Sequence, residues 1–189
     1  RVRAYPDVPM AWGDLCAHLV DGMAPAPYLR SDWPQPPVAN FRRPPRPYVV
    51  LHVGASSPLK HWPSRRWRQL GKRLRDAGYS VALSTGPGEA ALLDPIDPSG
   101  NWTRYAGTLS LAELWHLFAD AELLVCPDTG VAHLARIVGV PAVVLYGPGS
   151  ALLSGAGDFW RKSAYTALTV PDFPCRDQNV TMKREVAWV

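Results

Sequence analysis

The residues best suited to chemistry lie in three short segments, each between an apolar stretch and a helix pattern. The most informative is Val125-Cys-Pro-Asp-Thr-Gly-Val-Ala-His-Leu-Ala135, in which Asp128 or Thr129 can cap a helix. At helical spacing, Thr129, Gly130 and His133 share one face near the helix N-terminus, where free N–H groups attract a diphosphate. A lone histidine is usually structural and an aspartate here is usually a cap, but their joint placement favours a ligand site.

A second segment, Leu51-His-Val-Gly-Ala-Ser-Ser-Pro-Leu-Lys-His-Trp-Pro63, connects a predicted strand to the next predicted helix. Gly54 permits a close backbone turn, and Ser56 and Ser57 offer hydroxyl donors. Lys60 offers a compact positive charge suited to phosphate, although the spacing of a P-loop is absent. Two interpretations stay open for each: Lys60 is a phosphate ligand or an ordinary surface lysine, and the serines contact a ligand or only stabilise the turn.

The third segment is the glycine-rich turn Thr85-Gly-Pro-Gly-Glu89, which follows another predicted strand. A carboxylate in this position can accept hydrogen bonds from ribose hydroxyls. Glu89 is equally suited to the first turn of a helix, where the helix dipole favours a negative charge. The sequence alone favours the second interpretation.

Alternating strand and helix patterns from residue 48 onward explain how the three segments could meet. Apolar runs predict strands at Tyr48–Val53, Tyr79–Leu83, Leu123–Cys126 and Ala142–Tyr146, with weaker ones at Trp102–Ala106 and Ala164–Val170. Amphipathic periodicity predicts helices at Ser64–Ala77, Leu111–Ala121 and Thr129–Val138, with Ser64 as an N-cap. The alternation predicts an α/β fold with a parallel sheet covered by helices on both faces. Ligands of such sheets bind beyond the carboxyl ends of the strands.

The chain divides into unlike parts. Its 189 residues, 47% of them hydrophobic, suit one domain or one domain with part of a second, and exclude a disordered chain. Ten of the 20 prolines precede Tyr48, and the only helix predicted there runs from Met10 to Met23, with Trp12, Leu15, Leu19 and Met23 on one stripe. We therefore expect a proline-rich linker region at 1–47, an α/β domain at 48–170 and a tail at 171–189. The missing initiator methionine suggests a piece of a longer protein.

Charge and cysteine usage limit the classes of partner. The positive charge is concentrated in one segment, because seven basic residues and no acidic one lie from Lys60 to Arg75. The net charge of the chain is +4, so the rest of the chain has a net charge of −3. A solvated helix face is the simplest interpretation, and nucleic acid is not an expected partner because Trp67 has core spacing with Leu70 and Leu74. The three scattered cysteines predict neither a disulfide framework nor a metal site. Together with the absence of a visible signal peptide, they favour a cytoplasmic location.

Parts of two of these segments, together with two further stretches, resemble glycosyltransferase family 9, the ADP-heptose:lipopolysaccharide heptosyltransferases. The matching stretches are Lys60-His-Trp-Pro-Ser-Arg-Arg-Trp67, Gly107-Thr-Leu-Ser110, Asp128-Thr-Gly-Val-Ala-His-Leu-Ala135 and Leu145-Tyr-Gly-Pro148. Their order and spacing over roughly residues 48–150 look like the family's C-terminal domain. The resemblance implies a Rossmann-like domain that forms one half of a GT-B type enzyme, in which two such domains face each other across a cleft.

The resemblance also implies a role for each candidate residue. Lys60 would neutralise the diphosphate of a nucleotide-sugar, and Ser56 or Ser57 would hydrogen-bond it, with the register of the two serines left open. Glu89 would hold the ribose, and Leu109 would line the adenine pocket. The phosphates and the donor sugar would be bound by Asp128, Thr129, Gly130 and His133.

The implied mechanism is inverting transfer without a metal or cofactor. Lys60 and the helix N-terminus would stabilise charge on the departing nucleoside diphosphate. The catalytic base would belong to the preceding Rossmann domain, of which residues 1–47 resemble the last helix and the linker, so no catalytic residue is assigned. Arg136 departs from the small residue common at its position, so it either adds a phosphate contact or is simply exposed.

The implied donor is ADP-heptose, and the implied acceptor is lipopolysaccharide or a related glycan or lipid-linked molecule. The location would be cytoplasmic, with peripheral attachment to the inner face of the inner membrane as an option. Two alternatives remain. One is a catalytically inactive nucleotide-sugar-binding module, and the other is a GT-B type enzyme such as a nucleotide-sugar 2-epimerase, whose further acid/base residues are not evident.

Overall fold

A six-stranded, entirely parallel sheet forms the centre of the computed structural model, which describes residues 10–21, 26–37, 40–170 and 173. Its strands are β1 (Tyr48–His52), β2 (Ser80–Thr85), β3 (Thr103–Ala106), β4 (Leu123–Pro127), β5 (Ala142–Tyr146) and β6 (Tyr165–Thr169). All six strand predictions are confirmed to within two residues at each end. The strands pair in parallel because consecutive strands are joined by crossover connections rather than by hairpins.

One helix precedes the first strand, and the other helices that the structure describes lie in the connections between strands. The helices are α1 (Trp12–Asp21), α2 (Ser64–Asp76), α3 (Leu111–Ala119), α4 (Gly130–Val138) and the single-turn α5 (Ala151–Ser154). Ser64 is the first residue of α2 rather than its cap, because Pro63 occupies the N-cap position. Proline suits this helix entrance since it needs no hydrogen bond there. No helix in the described ranges is long and apolar enough to cross a bilayer.

Both faces of the sheet are buried at its central strands, as the continuous apolar runs predict, whereas the edge strand β6 is largely exposed. One face packs Tyr48, Val50 and Leu124 against α3 and α4. On the other face, Leu51 and Leu83 pack against Trp67 of α2. The connection between β2 and β3 has no α-helix, and this part of the sheet is covered by Leu93, Ile96 and Trp102 instead.

The strand order is β3-β2-β1-β4-β5-β6. The chain builds outward from β1 to β3, then crosses back through α3 to place β4 beside β1. The connections on either side of the β1–β4 pair therefore leave in opposite directions, which opens a crevice beyond the carboxyl ends of these two strands. This crevice receives the loops after β1 and β4, which carry the second and the first predicted site segments.

The helix α1 packs against the connection between β5 and β6. Asp14 fixes it there, because its carboxylate accepts hydrogen bonds from the N–H groups of Asp158 at 2.8 Å and Phe159 at 2.7 Å. Ala11 and Leu15 are buried at this contact. The predicted apolar stripe of this helix is wrong in part, because Trp12 and Leu19 are exposed. Met23 lies outside the described residues.

Candidate functional site

A cavity of about 270 Å³ lies beyond the carboxyl ends of β1 and β2 and against the N-terminus of α4. All three predicted segments contribute to its lining. Of the nine predicted site residues, five line this cavity: Ser56, Glu89, Leu109, Thr129 and Gly130. The remaining four, Ser57, Lys60, Asp128 and His133, are not among its lining residues, and the last three lie close together beside it.

Lys60 and Asp128 form an ion pair between the loop after β1 and the loop after β4. The Lys60 ammonium donates to the Asp128 carboxylate oxygen Oδ2 at 3.0 Å and to the Asp128 backbone carbonyl at 2.9 Å. Their side chains are 22% and 10% exposed. Lys60 is therefore not an ordinary surface lysine. Since an ammonium has three donors, Lys60 can contact an anion while Asp128 fixes its position.

The N-terminus of α4 has no side-chain cap from Thr129, although Thr129 occupies the N-cap position. The Asp128 carboxylate contacts Lys60 instead. The first N–H groups of a helix have no intrahelical partners and carry the positive end of the helix dipole. An anion beside Lys60 would therefore meet both a fixed ammonium and the start of α4.

Glu89 joins the loops that follow β1 and β2. Its Oε1 accepts the N–H of Ala55 at 3.0 Å, and its Oε2 accepts the N–H of Gly86 at 2.8 Å. Gly54 is required for this contact, because a Cβ built on it would lie 1.9 Å from Glu89 Oε2. Glu89 also precedes the short 3-10 helix Ala90–Leu92 but makes no side-chain cap there. In the structure Glu89 therefore links the two loops that form one wall of the cavity.

An apolar wall of the cavity comes from the loop before α3. Leu109 lines the cavity together with Leu111 and Leu114. The loop approaches the turn after β2 closely at Gly107, which has a φ of +71°. A Cβ on Gly107 would lie 2.4 Å from the carbonyl oxygen of Gly86. Glycine at this position thus permits both the positive φ and the close approach of the two loops.

Three polar residues at the base of the cavity were missed by the sequence analysis. His52 and Thr85 line the cavity, and Ser84 lies beneath it. The Nδ1 of His52 lies 3.1 Å from the Ser84 hydroxyl, and burial lowers the pKa of His52 to about 4. The Thr85 hydroxyl is buried without a hydrogen-bond partner in the described part of the chain. Their positions at the carboxyl ends of β1 and β2 were the available signal.

His133 lies on α4 near the ion pair. Although the residue reaches solvent, desolvation of its ring and the charge of Arg136 lower its pKa, with a smaller contribution from Lys60, while Asp128 opposes them. Its Nδ1 lies 3.5 Å from Nη1 of Arg136. The expectation that Arg136 could be simply exposed is wrong, since only 3% of Arg136 is accessible. The β5–β6 connection covers it, which the α4 sequence could not reveal.

Comparison with known proteins gives a consistent result for most of the chain. The model for glycosyltransferase family 9 (heptosyltransferase) matches residues 12–184. Lipopolysaccharide heptosyltransferase 1 of Pseudomonas aeruginosa is 30% identical over 190 residues, which cover 95% of this chain and 51% of that protein. Lipopolysaccharide heptosyltransferase 2 of Escherichia coli is 35% identical over 112 residues, or 56% of this chain and 32% of that protein. The chain thus spans about half the length, or less, of these relatives.

Solved structures give the same picture for the fold. The E. coli ADP-heptose lipopolysaccharide heptosyltransferase II is 28% identical with a TM-score of 0.57, covering 66% of this chain and 38% of that one. The E. coli heptosyltransferase WaaC, solved with ADP, is 26% identical with a TM-score of 0.58 over the same shares of each chain. The sheet described above therefore has the architecture of one half of these GT-B type structures.

Proposed function

Because the chain belongs to glycosyltransferase family 9, the heptosyltransferases, we propose that it binds the nucleotide-diphosphate sugar from which heptose is transferred. The proposed donor is ADP-heptose, and the proposed acceptor is a lipopolysaccharide or related glycan, free or lipid-linked. The observation that carries the proposal is the Lys60–Asp128 ion pair beside the N-terminus of α4. It places a fixed positive charge next to a cavity at the crevice of the sheet.

The diphosphate would bind between Lys60 and the start of α4. Lys60 would donate a charge-assisted hydrogen bond to a phosphate oxygen. Thr129 and Gly130 lie at the start of α4, so a phosphate beside them would lie at the positive end of the helix. Ser56 lines the cavity, which favours it over Ser57 as the hydroxyl that contacts a phosphate. Asp128 would act by orienting Lys60, and His133 by donating to a phosphate or sugar oxygen.

The nucleoside would occupy the cavity between the loops after β1 and β2. Leu109 supplies an apolar surface suited to the adenine ring. Glu89 is proposed to hold the ribose, because each carboxylate oxygen can accept more than one hydrogen bond and its present donors are two backbone N–H groups. The cavity volume of about 270 Å³ is close to the lower end of the ligand-site range, roughly 300–1,000 Å³.

The proposed chemistry is inverting transfer without a metal ion. As the bond from the sugar to the nucleoside diphosphate breaks, negative charge develops on the departing phosphate. Lys60 and the helix N-terminus would stabilise that charge from fixed positions, at no cost of reorganisation during the reaction. We assign no catalytic base to this chain. The proposal places the base in a preceding Rossmann domain across the cleft, and the protein in the cytoplasm or peripherally at the inner membrane.

Family membership favours this function over one of the two alternatives. A nucleotide-sugar 2-epimerase is disfavoured because the matching family model is that of the heptosyltransferases. A binding-only module would share the entire nucleotide site. It differs from the proposal only in the reaction, so nucleotide binding and sugar transfer must be measured separately.

Isothermal titration calorimetry of this chain with ADP, UDP and GDP tests the proposal. We expect ADP to bind more tightly than UDP, because a purine covers more of the apolar wall formed by Leu109 than a pyrimidine does, and more tightly than GDP, because adenine brings fewer polar groups to that wall than guanine. Ser56→Ala removes one hydroxyl of the proposed phosphate site and should weaken ADP binding only a few-fold. Absence of binding by all three nucleotides would overturn the nucleotide-site proposal, and selective UDP binding would overturn ADP-heptose as the donor.

A further inference from the structure

Arg136 is a buried cation without a carboxylate partner in the part of the chain that the structure describes. It lies in the second half of α4 and is 3% exposed. The Asp128 carboxylate pairs with Lys60 instead. A buried charge costs several kcal/mol unless other groups compensate for it. The position of this guanidinium therefore has to be fixed by specific contacts.

Those contacts come from two elements outside α4. The guanidinium carbon lies 4.0 Å from the ring centroid of Tyr165 in β6, an arrangement that stabilises a cation. Its Nη2 donates to the backbone carbonyl of Ser154 in α5. The Tyr165 hydroxyl is itself hydrogen-bonded to the hydroxyl of Tyr146. These contacts fix the guanidinium, and its other terminal nitrogen, Nη1, lies near Nδ1 of His133.

The contact between Arg136 and His133 favours one position of the imidazole proton. Nη1 of Arg136 is 3.5 Å from Nδ1 of His133. A guanidinium has only donors, so Nδ1 can only accept at this contact, which favours the neutral imidazole with its proton on Nε2. The opposite tautomer would place two N–H groups against each other.

We propose that Arg136 is a positioning residue, which holds His133 as the neutral Nε2–H tautomer and so presents this N–H to an oxygen of the bound nucleotide-sugar. The inference rests on the proposed function for the identity of the ligand. In this proposal His133 acts as a neutral hydrogen-bond donor, and neither as a cation nor as a base. A neutral donor can hold a sugar or phosphate oxygen without binding the departing nucleoside diphosphate too tightly.

The groups around His133 agree with this role. Arg136 approaches from α4, Lys60 from the turn before α2, and Asp128 from the loop after β4. Desolvation together with the two cations outweighs the carboxylate and lowers the pKa of His133. Because Lys60 is paired with Asp128, removal of the Arg136 charge is the change that should affect His133 most.

Nitrogen-15 NMR of the histidine side chains in the ligand-free chain tests the assignment directly. The two neutral tautomers differ in which ring nitrogen carries the proton and have distinct shifts. We expect the His133 signals, identified by their loss in His133→Ala, to show the Nε2–H tautomer at pH 7. An Nδ1–H tautomer or an imidazolium at pH 7 would overturn the proposal, whether or not any nucleotide binds.

Arg136→Met and Arg136→Lys form the matched pair of variants. Methionine removes both the charge and the donor, so the His133 pKa should rise toward its ordinary value of 6.5 and the tautomers should mix. Lysine keeps a cationic donor and should restore most of the wild-type behaviour. An unchanged His133 tautomer and pKa in folded Arg136→Met would contradict the inference. If Arg136→Met does not fold, the wild-type tautomer and Arg136→Lys still decide it.

The pH dependence of ADP binding supplies the functional measurement. Wild-type affinity should vary little between pH 6 and 8 beyond the titration of ADP itself, which is common to all variants and cancels in the comparison. Arg136→Met should bind ADP about three- to tenfold more tightly at pH 6 than at pH 8 relative to wild type, as His133 acquires charge. This excess should vanish in Arg136→Met with His133→Ala. Its persistence in the double variant would overturn the role of His133.

Discussion

At the scale of single residues, the Lys60–Asp128 pair is the most informative feature of the site. An exposed ion pair contributes little to stability, and a partly buried one must compensate for desolvation. The two side chains are 22% and 10% exposed and come from loops after neighbouring strands. The pair is therefore better suited to preorganising a charge than to stabilising the fold.

Lys60→Ala should weaken ADP binding by about ten- to a hundredfold while leaving adenosine binding nearly unchanged. The expected magnitude follows from the loss of a charge-assisted hydrogen bond, worth about 1.5–3 kcal/mol, and from the Asp128 charge that would then face the diphosphate. Titration calorimetry with the two ligands measures the difference. Lys72→Ala, on the exposed face of α2, is the control and should bind both as wild type. Equal losses for ADP and adenosine would show that Lys60 only supports the fold.

At the scale of elements, the site depends on four loops that three contacts connect to one another. Glu89 connects the loops after β1 and β2, and Gly107 brings the loop before α3 against the turn after β2. Lys60 connects the loops after β1 and β4. The sheet fixes the starting points of these loops, and the three connections fix their relative positions.

Gly107→Ala should destabilise the protein by at least about 2 kcal/mol more than Gly78→Ala. Both glycines have positive φ, +71° and +91°, so both substitutions carry the strain of that conformation, about 1 kcal/mol. Only at Gly107 would the new methyl group collide with backbone, whereas nothing lies within 4 Å of it at Gly78. Urea unfolding gives the free-energy difference, and ADP titration should show a defect for Gly107→Ala alone. Similar losses of stability would mean that the turn after β2 can move aside.

The strands and the identity of the site loops could be predicted from sequence because they depend on local pattern. Apolar runs mark the strands, and glycine, serine and threonine mark the turns after them. Contacts between distant segments could not be predicted. Lys60 and Asp128 are 68 residues apart, and the burial of Arg136 depends on Ser154 and Tyr165, which no periodicity in α4 indicates. The exposed face of α1 was misjudged for the same reason, since its partner lies at residues 158–159.

At the scale of the whole molecule, a neutral histidine lies in the centre of the sheet. His52 ends the strand β1, which has neighbours on both sides, and is 4% exposed. Burial lowers its pKa from an ordinary value of 6.5 to about 4. In this pH interval the unfolded chain therefore binds a proton that the folded chain does not.

The free energy of unfolding should consequently decrease as pH falls from about 6.5 to about 4, with His52 contributing about 3 kcal/mol to the total loss. The sign follows from linkage, because stability rises with pH wherever the unfolded state holds more protons. Urea unfolding of wild type and of His52→Asn, whose amide can replace Nδ1 toward Ser84, measures the contribution by difference. Carboxylates titrate in both proteins and cancel. Parallel pH profiles for the two proteins would contradict the assignment.

The contact made by Asp14 also has a consequence for the order in which the protein is assembled during synthesis. Its two hydrogen-bond donors follow it by 144 and 145 residues. At translation rates of about 5–20 residues per second, the carboxylate waits on the order of 10 s for its partners. During that time α1, a ten-residue helix too short to be stable alone in water, lacks the residues at 158–159 on which it docks. Of the helices that the structure describes, the first to be synthesised is thus among the last to reach its docking partner.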